Sequence, residues 1–434
     1  MSSRGRLIRT DAIPRLTLRG AAFTVLAVLS ITFSYALDRI ELLYLGCFLA
    51  LFPALSALLL LVTPPKLSVV RRFVPDLVEV DGTVRVTLAL HNSGARLPPE
   101  STWSDALPDA VGTASTGHLS AGTVATGAAE RTTVHYSLCP PRRGIFDIGP
   151  LSVVSRDPFG LVARTATAPG TTSLTVTPSV TRLPDMPFGT ALSDGSATQL
   201  PRSGSLGDDD LITREYRPGD AKRRVHWRAT ARHGELMVRQ EEPRSNPEAV
   251  VLIDTRPRSY PDARGIALFD DGLALADDFE RAVALGASVA LHLQRTGYGV
   301  DVLHTTSGRR SRLRPHDAAG DGGAGAFLTR LAALDASART RDIDFAVRLT
   351  GELRRFGTTP LFAVLGSVTP EDAARLAALR ALAEPAVAFV VTNDTGGDDL
   401  VPLRDAGWLC VRVGTMDDLN RAWSTIGERV EASE

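Results

Sequence analysis

Residues 249–259 read AVVLIDTRPRS, and the fold class of the C-terminal part of the chain follows from this segment. Its first five residues are apolar and include three β-branched side chains, a pattern typical of a strand buried on both faces. The apolar run ends at Asp254, which opens a loop that carries Arg256 and Arg258. A buried strand followed by a polar loop predicts an α/β sheet with Asp254 at the carboxyl end of a strand.

Strand-like runs and helical patterns alternate after this segment. Further strands are predicted at residues 300–304, 360–365, 386–391 and 408–413. Helices are predicted at residues 272–295, 326–334, 343–356, 370–382 and 417–430. The alternation predicts a doubly wound α/β domain over residues 244–434, built on an open, mainly parallel sheet covered on both faces.

An arginine-rich block at residues 211–243 precedes this domain, and its residues 214–243 read REYRPGDAKRRVHWRATARHGELMVRQEEP. Pro218 and Gly219 predict a turn, after which Asp220 is the expected N-cap of a short helix over residues 221–232. Gly234 is expected to end that helix, and a strand is predicted at residues 236–239.

The predicted helix places Arg224, Arg228 and Arg232 four residues apart, where they form one cationic stripe. Either acidic residues of the block pair with them, or an acidic or phosphate-bearing partner does. Trp227 is expected to anchor the helix in the core, although an aromatic among basic residues also suits base stacking. The candidate binding residues are Arg214, Tyr216, Arg217, Gly219, Asp220, Arg224, His226, Trp227, Arg228 and Arg232.

Metal and nucleic-acid sites in the block are disfavoured. Asp220, His226, His233 and Glu235 are possible ligands, but seven helical residues separate the two histidines by about 10 Å, roughly twice the span of one ion's ligands. The chain has a formal net charge of -1, so it lacks the basic field typical of nucleic-acid binding.

The N-terminal region predicts a membrane hairpin. Residues 1–19 are rich in arginine, and apolar runs at residues 20–37 and 42–63 are each long enough to cross a bilayer core of about 30 Å. The four-residue link makes residues 20–63 a two-helix hairpin. Basic residues before and after it predict a multi-pass protein of the cell (inner) membrane, with the N-terminus and the large C-terminal portion in the cytoplasm.

Two further segments complete the domain organisation. Residues 67–183 contain short alternating apolar runs at 84–90, 132–138, 149–154 and 173–177, which predict a β-sandwich-like domain. Residues 184–210 are rich in Gly, Ser, Pro and Asp and predict a flexible linker. The three cysteines are scattered, which suggests neither a disulfide framework nor a metal site and fits a reducing compartment.

Several of these features carry a resemblance to known families. The order of apolar strand, Asp254, loop and long helix resembles a von Willebrand factor A-type domain. The hairpin, the RRG turn at 142–144, the DPFG turn at 157–160 and the REYRPGD, VHW and AR segments of the block resemble the bacterial domain-of-unknown-function family 58. The resemblance implies a MoxR-type AAA+ ATPase as partner in envelope-related assembly, with a transglutaminase-like membrane protein as a further possible partner.

The loop after the first strand departs from the metal-binding pattern of A-type domains. Those domains often hold a divalent cation on an Asp-x-Ser-x-Ser loop, whereas Arg256 and Arg258 stand where the two serines would be. A second acid that often follows the later strand is missing from residues 365–368. The degenerate site at Asp254, Arg256 and Arg258 is therefore expected to form an Asp–Arg pair and to bind no metal, and no cofactor is expected.

The sequence favours a non-enzymatic, membrane-anchored scaffold or adaptor that presents a cytoplasmic protein-binding surface. It contains no Walker A loop, Gly-x-Ser-x-Gly elbow or His-Glu-x-x-His segment. One alternative is a membrane-tethered, metal-dependent enzyme that uses Asp220, His226 and Glu235. Another is a module that binds anionic lipid through the arginine stripe.

Overall fold

The computed structural model describes residues 13–62, 67–92, 101–119, 132–185, 213–215, 227–239, 247–260, 277–305, 310–314, 321–335, 345–355, 358–392, 399–414 and 417–431. The chain divides into two compact units. The first comprises Met1–Val180, Asp262–Ala287 and Ala324–Ala336, and the second comprises Thr181–Pro261, Ser288–Gly323 and Ser337–Glu434.

The first unit begins with two long apolar helices, α1 (Leu18–Leu37) and α2 (Ile40–Val62). The left-handed conformation of Asp38 ends α1 and lets the chain turn directly into α2. The helices approach closely at Gly46, where an added Cβ would lie 2.5 Å from Cγ1 of Ile31. Both helices are long and apolar enough to cross a membrane, and the predicted hairpin is present with ends shifted by one or two residues.

Eleven strands follow or flank the hairpin in the described part of this unit. They are β1 (Arg15–Leu16), β2 (Leu67–Val74), β3 (Leu77–Glu79), β4 (Val84–Asn92), β5 (Ser101–Asp105), β6 (Ser115–Leu119), β7 (Thr132–Leu138), β8 (Gly144–Ile148), β9 (Leu151–Arg156), β10 (Val162–Ala168) and β11 (Thr172–Thr177). They form sheets in the orders β1-β10-β9-β5-β6, β2-β4-β7 and β3-β11-β8. All pairs are antiparallel except β3 with β11.

The three sheets share one apolar core, as a sandwich-like domain requires, although a sandwich has two sheets. Strand β4 shows the pattern, since every second side chain from Val84 to Leu90 is fully buried in that core. The strand predicted at 149–154 begins two residues later, at Leu151. Gly149 adopts a φ of 114° and Pro150 has no N–H to donate, so these two residues separate β8 from β9. The end of the predicted N-terminal segment also joins the fold, where β1 pairs with β10.

The second unit begins with the described parts of the arginine-rich block. Strands β12 (Thr213–Glu215) and β13 (Met237–Arg239) pair antiparallel and flank α3 (Trp227–His233). Gly234 adopts a φ of 77° directly after α3, which confirms its predicted place at the end of the helix. Residues 221–226 of the predicted helix lie outside the described residues.

A six-stranded sheet forms the centre of the second unit. Its strands are β14 (Glu248–Ile253), β15 (Gly299–His304), β16 (Arg310–Leu313), β17 (Thr359–Leu365), β18 (Ala383–Val391) and β19 (Leu409–Val413). The order is β16-β15-β14-β17-β18-β19, and all pairs are parallel except β15 with the edge strand β16. The prediction of an open, mainly parallel sheet is confirmed, while the four-residue edge strand was not predicted.

The helices of the C-terminal part follow the predicted alternation. They are α4 (Asp277–Arg295), α5 (Asp321–Ala332), α6 (Phe345–Leu353), α7 (Pro370–Ala377), α8 (Val401–Asp405) and α9 (Leu419–Glu431). The helix predicted over 370–382 changes to a 3₁₀ turn at Ala378–Leu382, and the five-residue α8 was not predicted.

Both faces of the six-stranded sheet are covered within the second unit. On one face, residues of α6, α7 and α8 share a buried cluster with inward side chains of the strands. On the other face, the ring of Trp423 from α9 packs against the rings of Phe362 and Phe389. This double cover explains why the strands read as continuous apolar runs in the sequence.

The strand order places a switch point beside β14. From β14 the chain proceeds outward to β15 and β16, and it then returns to form β17, β18 and β19 on the other side of β14. The chain therefore continues from β14 and from β17 toward strands on opposite sides of this point. In open α/β sheets the crevice between the loops at such a switch point is the usual place for a ligand.

Candidate functional site

Asp254 lies at this switch point, fully buried at the carboxyl end of β14. Its Oδ1 accepts hydrogen bonds from the backbone N–H of Arg256 at 3.0 Å, from Nε of Arg256 at 2.9 Å and from Oγ1 of Thr305 at 2.9 Å. Its Oδ2 accepts from Nη2 of Arg256 at 2.8 Å. Both carboxylate oxygens of Asp254 therefore have donors from the protein itself.

A second carboxylate extends this pair into a chain of alternating charges. Nη1 of Arg256 donates to Oδ2 of Asp372 at 2.8 Å, and Nη2 of Arg258 donates to the two oxygens of Asp372 at 3.1 and 3.2 Å. Asp372 belongs to the first turn of α7, where Thr369 caps the helix by accepting from the backbone N–H of Asp372. The two acids and two arginines carry no net charge together.

The environment of Arg256 keeps its guanidinium charged. Burial alone would lower the pKa of Arg256, but the hydrogen bond and charge of Asp254, with the charge of Asp372, outweigh burial and raise that pKa. A guanidinium with a raised pKa neither takes up nor releases a proton at neutral pH. The arrangement therefore suits a fixed positive charge between two carboxylates and does not suit acid–base chemistry.

The two loops at the switch point also contact each other directly. The backbone N–H of Ser367, after β17, donates to the carbonyl of Ser259 at 2.7 Å. Gly366 permits this approach, because an added Cβ would lie 2.3 Å from the same carbonyl oxygen. The hydroxyl of Tyr260 donates to the backbone carbonyl of Asp254 at 2.8 Å. The crevice expected from the strand order is thus occupied by groups of this chain.

Two predictions about this site need correction. Arg258 was expected beside Asp254, but it pairs with Asp372, while Arg256 forms the predicted pair with Asp254. A second acid was judged missing because residues 365–368 contain none, yet Asp372 supplies it from α7. The sequence held a signal for it, since Thr369 followed three residues later by an acid is a helix N-terminal capping pattern. Among the residues that the structure describes, no group of three His, Cys, Asp or Glu side chains could hold a metal ion.

Most of the predicted binding residues of the block lie outside the described residues, namely Tyr216, Arg217, Gly219, Asp220, Arg224 and His226. Arg214 lies in β12 and Arg228 in α3, and nothing is described of their side chains. The other two, Trp227 and Arg232, are described, and both are exposed on α3.

The prediction that Trp227 anchors the helix in the core is wrong. Its side chain is 71% exposed. The described contact between α3 and the strand that follows it is made by Thr230, whose Oγ1 accepts from the backbone N–H of Met237 at 3.0 Å. The side chain of Met237 is buried. Leu236 and Glu235, just after α3, are also exposed. We call Trp227, Arg232, Glu235 and Leu236 the α3 surface.

The RRG turn has a role that the sequence did not reveal. Arg143 is buried in the first unit, where its Nη1 donates to the backbone carbonyls of Leu331 and Leu334 at 2.6 and 2.5 Å. Its Nε forms an ion pair with Glu280 at 2.8 Å, and its guanidinium lies 5.1 Å from the ring centre of Phe279. Burial raises the pKa of Glu280 despite the opposing effect of Arg143. These contacts hold the start of α4 and the end of α5 in the first unit.

The fold and this site define a chain with two apolar N-terminal helices, a β unit and an open α/β sheet whose switch point is closed by internal ion pairs. Residues 212–385 match the family described as Protein of unknown function DUF58, which supports membership of that family for this part of the chain. The matched residues include the arginine-rich block and the switch-point site.

Two solved structures of one domain are similar to part of the chain. The crystal structure of the CARDB domain of a Pyrococcus furiosus protein, in complex with di-metal ions, has 16% sequence identity, covers 26% of this chain and 93% of that chain, and gives a TM-score of 0.18. The solution NMR structure of that domain has 18% identity, covers 26% and 94%, and gives a TM-score of 0.17. TM-scores this low support no conclusion about this chain. No curated protein matches the chain.

Proposed function

We propose that this chain is a non-enzymatic adaptor, anchored in the cell (inner) membrane by its hairpin, that binds a protein partner in the cytoplasm through the α3 surface. The observation that carries the proposal is the 71% exposure of Trp227; Arg232 and Leu236, within ten residues of it in the chain, are exposed as well. Tryptophan and arginine are the residues most enriched where binding energy concentrates in protein interfaces.

The state of the switch-point site supports a binding role over catalysis. The carboxylate oxygens of Asp254 and Asp372 all accept hydrogen bonds from arginines or Thr305. Arg256 supplies between these acids the positive charge that a divalent cation supplies in A-type domains. The antiparallel edge strand β16, the strand order and the acid after β14 support a von Willebrand factor A-like domain with this built-in cation.

The charge distribution supports a cytoplasmic location for both units. Arg15 precedes α1, Arg19 lies in its first turn, and Lys66 and Arg72 follow α2, as the positive-inside rule requires of a hairpin with both ends in the cytoplasm. Arg71 is left out of this set because its guanidinium is buried in the β unit on the carboxylate of Asp105. Cys47, Cys139 and Cys410 are free thiols, which agrees with a reducing compartment.

The partner that the family resemblance favours is a MoxR-type AAA+ ATPase, with a transglutaminase-like membrane protein as a second component of the same assembly. The test is the affinity of the detergent-solubilised full chain for a purified MoxR-type ATPase from the same organism. Trp227→Ala and Arg232→Glu are each expected to weaken binding by at least about tenfold. Arg355→Glu is the matched control, because this exposed arginine at the end of α6 pairs only with the neighbouring Glu352 among its described contacts.

The outcomes separate the surface from the partner. Equal affinity of the wild-type chain and the Trp227→Ala variant for the ATPase would reject the α3 surface as the contact. Wild-type chain that fails to bind the ATPase at all would reject the partner. Turnover of a small molecule by the purified chain would reject the non-enzymatic role.

A further inference from the structure

The DPFG turn, residues 157–160 between β9 and β10, packs against the side of helix α2. Oγ of Ser56 donates to Oδ2 of the buried Asp157 at 3.1 Å. The rings of Phe52 and Phe159 meet edge to face, with their centres 5.7 Å apart. Immediately after the turn, Leu161 and Val162 share a buried cluster with Leu60. The turn therefore lies beside the second half of α2 and not beyond the end of that helix.

The level of this contact along α2 matters for the membrane. Phe52 precedes the end of α2 at Val62 by ten residues, which corresponds to about 15 Å along the helix axis. Apolar side chains are exposed on α2 on both sides of this level, at Phe48, Leu51, Leu55 and Leu58. A bilayer that covers these side chains also reaches the DPFG turn.

The backbone of the turn is suited to an apolar environment, because every N–H group of residues 157–160 donates to a partner within the protein. Oδ2 and Oδ1 of Asp157 accept from the backbone N–H groups of Phe159 and Val162 at 3.0 and 2.6 Å. The N–H of Gly160 donates to the carbonyl of Asp157, and the residue at 158 is a proline without an N–H. Oγ1 of Thr17 donates to the carbonyl of Gly160. Non-helical backbone is tolerated at membrane depth only when it is satisfied in this way.

The side chains around the turn divide into an apolar tip and a basic rim. Phe159 is 60% exposed despite its contact with Phe52. Arg15 in β1 and Arg19 in the first turn of α1 are exposed as well, and a Cβ on Gly160 would lie 3.5 Å from Nη1 of Arg19. An exposed aromatic tip with arginines beside it matches the boundary between acyl chains and phosphate head groups.

We propose that the DPFG turn is a membrane wedge, in which Phe159 inserts among the lipid acyl chains while Arg19 reaches the head-group phosphates. The proposal rests on the membrane anchoring in the proposed function, and it commits to lipid as the occupant because the exposed ring of Phe159 contacts Phe52 of α2, whose neighbours Phe48, Leu51 and Leu55 are exposed apolar side chains. The wedge fixes the β unit on the bilayer in one orientation. Gly20 strengthens the attachment, because a Cβ there would lie 2.0 Å from the carbonyl oxygen of Leu161.

The test measures the depth of single nitroxide labels in the full chain reconstituted into phosphatidylglycerol-containing vesicles. Three single-cysteine chains are compared: one keeps the native, exposed Cys47 of α2, one carries Phe159→Cys and one carries Ile145→Cys. The remaining cysteines are replaced by Ala. Ile145 is the matched control, since it is an exposed apolar residue of β8 in the same unit that makes no contact with the hairpin among its described contacts.

Labels at 47 and 159 are expected to collide more with dissolved oxygen than with a water-soluble nickel chelate, and the label at 145 is expected to show the reverse. A label at 159 that behaves like the label at 145, while the label at 47 lies in lipid, would overturn the wedge and leave the anchoring intact. A label at 47 in water would overturn the anchoring and the wedge together. A label at 159 shielded from both reagents would indicate a protein contact and reject lipid as the occupant.

A second variant keeps the proposal testable if Phe159→Cys fails to fold. Phe159→Trp retains an aromatic ring at the tip, and its added fluorescence is expected to be quenched by brominated acyl chains. Unquenched fluorescence from the folded, vesicle-bound variant would overturn the wedge.

Discussion

Asp254 and Arg256 are two residues apart in the chain, and their side chains form a two-pronged ion pair with Nε–Oδ1 and Nη2–Oδ2 distances of 2.9 and 2.8 Å. The same carboxylate accepts the backbone N–H of Arg256, so the pair fixes the loop that leaves β14. Asp372 binds the remaining side of the guanidinium. The guanidinium of Arg256 thereby joins the carboxyl end of β14 to the first turn of α7.

Replacing Arg256 by Met is expected to lower the free energy of unfolding by about 3–5 kcal/mol, because Asp254 would stay buried without its cation. Arg258→Met is the matched control, since the Arg258 side chain is 39% exposed and its pair with Asp372 is worth at most about 1 kcal/mol. Denaturant unfolding of the solubilised chain, followed by tryptophan fluorescence, measures both. Equal effects of the two substitutions would contradict the central role of Arg256.

Gly366→Ala is expected to destabilise the second unit, because the new Cβ would lie 2.3 Å from the carbonyl oxygen of Ser259 and the two switch-point loops would have to separate. Gly351→Ala, in α6, provides the opposite case. Nothing lies within 4 Å of an added Cβ there, and the gain in helix propensity is expected to stabilise the chain by about 0.5–1 kcal/mol. Thermal unfolding measures both, and a stabilised Gly366→Ala variant would show that the loop contact is dispensable.

The sequence predicted the parts of the fold in which one residue pattern has one physical solution. The run at 249–253 predicted β14 because five consecutive apolar residues need cover on both faces, and Asp254 followed at the strand end. The hairpin was predictable from length and hydropathy. The pairing of Asp254 with an arginine was predictable because opposite charges lie two residues apart.

The features that escaped prediction depend on contacts between residues distant in the sequence. Asp372 lies 116 residues after Arg256 in the chain. It reaches the switch point only because β14 and β17 are neighbours in the sheet. Trp227 was expected in the core because a large aromatic ring is usually buried, but its side chain is exposed, and the buried side chain is that of Met237, ten residues later. Arg143 looked like a turn residue, and its buried partners lie on α4 and near the end of α5.

His304, at the end of β15, is expected to make stability depend on pH. Burial lowers the pKa of His304 from the ordinary value of 6.5 to about 4. Between these values the unfolded chain binds a proton on this histidine and the folded chain does not, so the free energy of unfolding falls as the pH decreases from about 6.5 to about 4. Above about pH 6.5 this effect of His304 no longer changes the free energy of unfolding. Below about pH 4 the free energy of unfolding is lower by about 3 kcal/mol because of this histidine.

His304→Asn removes this contribution. The loss of unfolding free energy between about pH 7 and about pH 4.5 is expected to be smaller in that variant than in the wild type by roughly 2 kcal/mol. His118→Asn, at an exposed position of β6, is the control and should leave the pH dependence of the wild type unchanged. Identical pH dependence in His304→Asn and wild type would show that other groups cause the acid sensitivity.

Arg143→Lys is expected to destabilise the first unit by about 2–3 kcal/mol, although it keeps the positive charge. The guanidinium of Arg143 binds two carbonyls and Glu280 at once while it lies on the ring of Phe279, and an ammonium group has neither the planar fork nor the width to do so. Glu280 would remain partly buried with a weaker partner, so its protonated form would gain population. Arg85→Lys, at an exposed position of β4, is the control and should change stability by less than about 0.5 kcal/mol.

Hydrogen exchange of the amides in α5 separates the causes, because loss of the Arg143 contacts should increase exchange at the end of that helix before the strands of the β unit are affected. Unchanged exchange there in Arg143→Lys would mean that the carbonyls of Leu331 and Leu334 do not depend on this arginine.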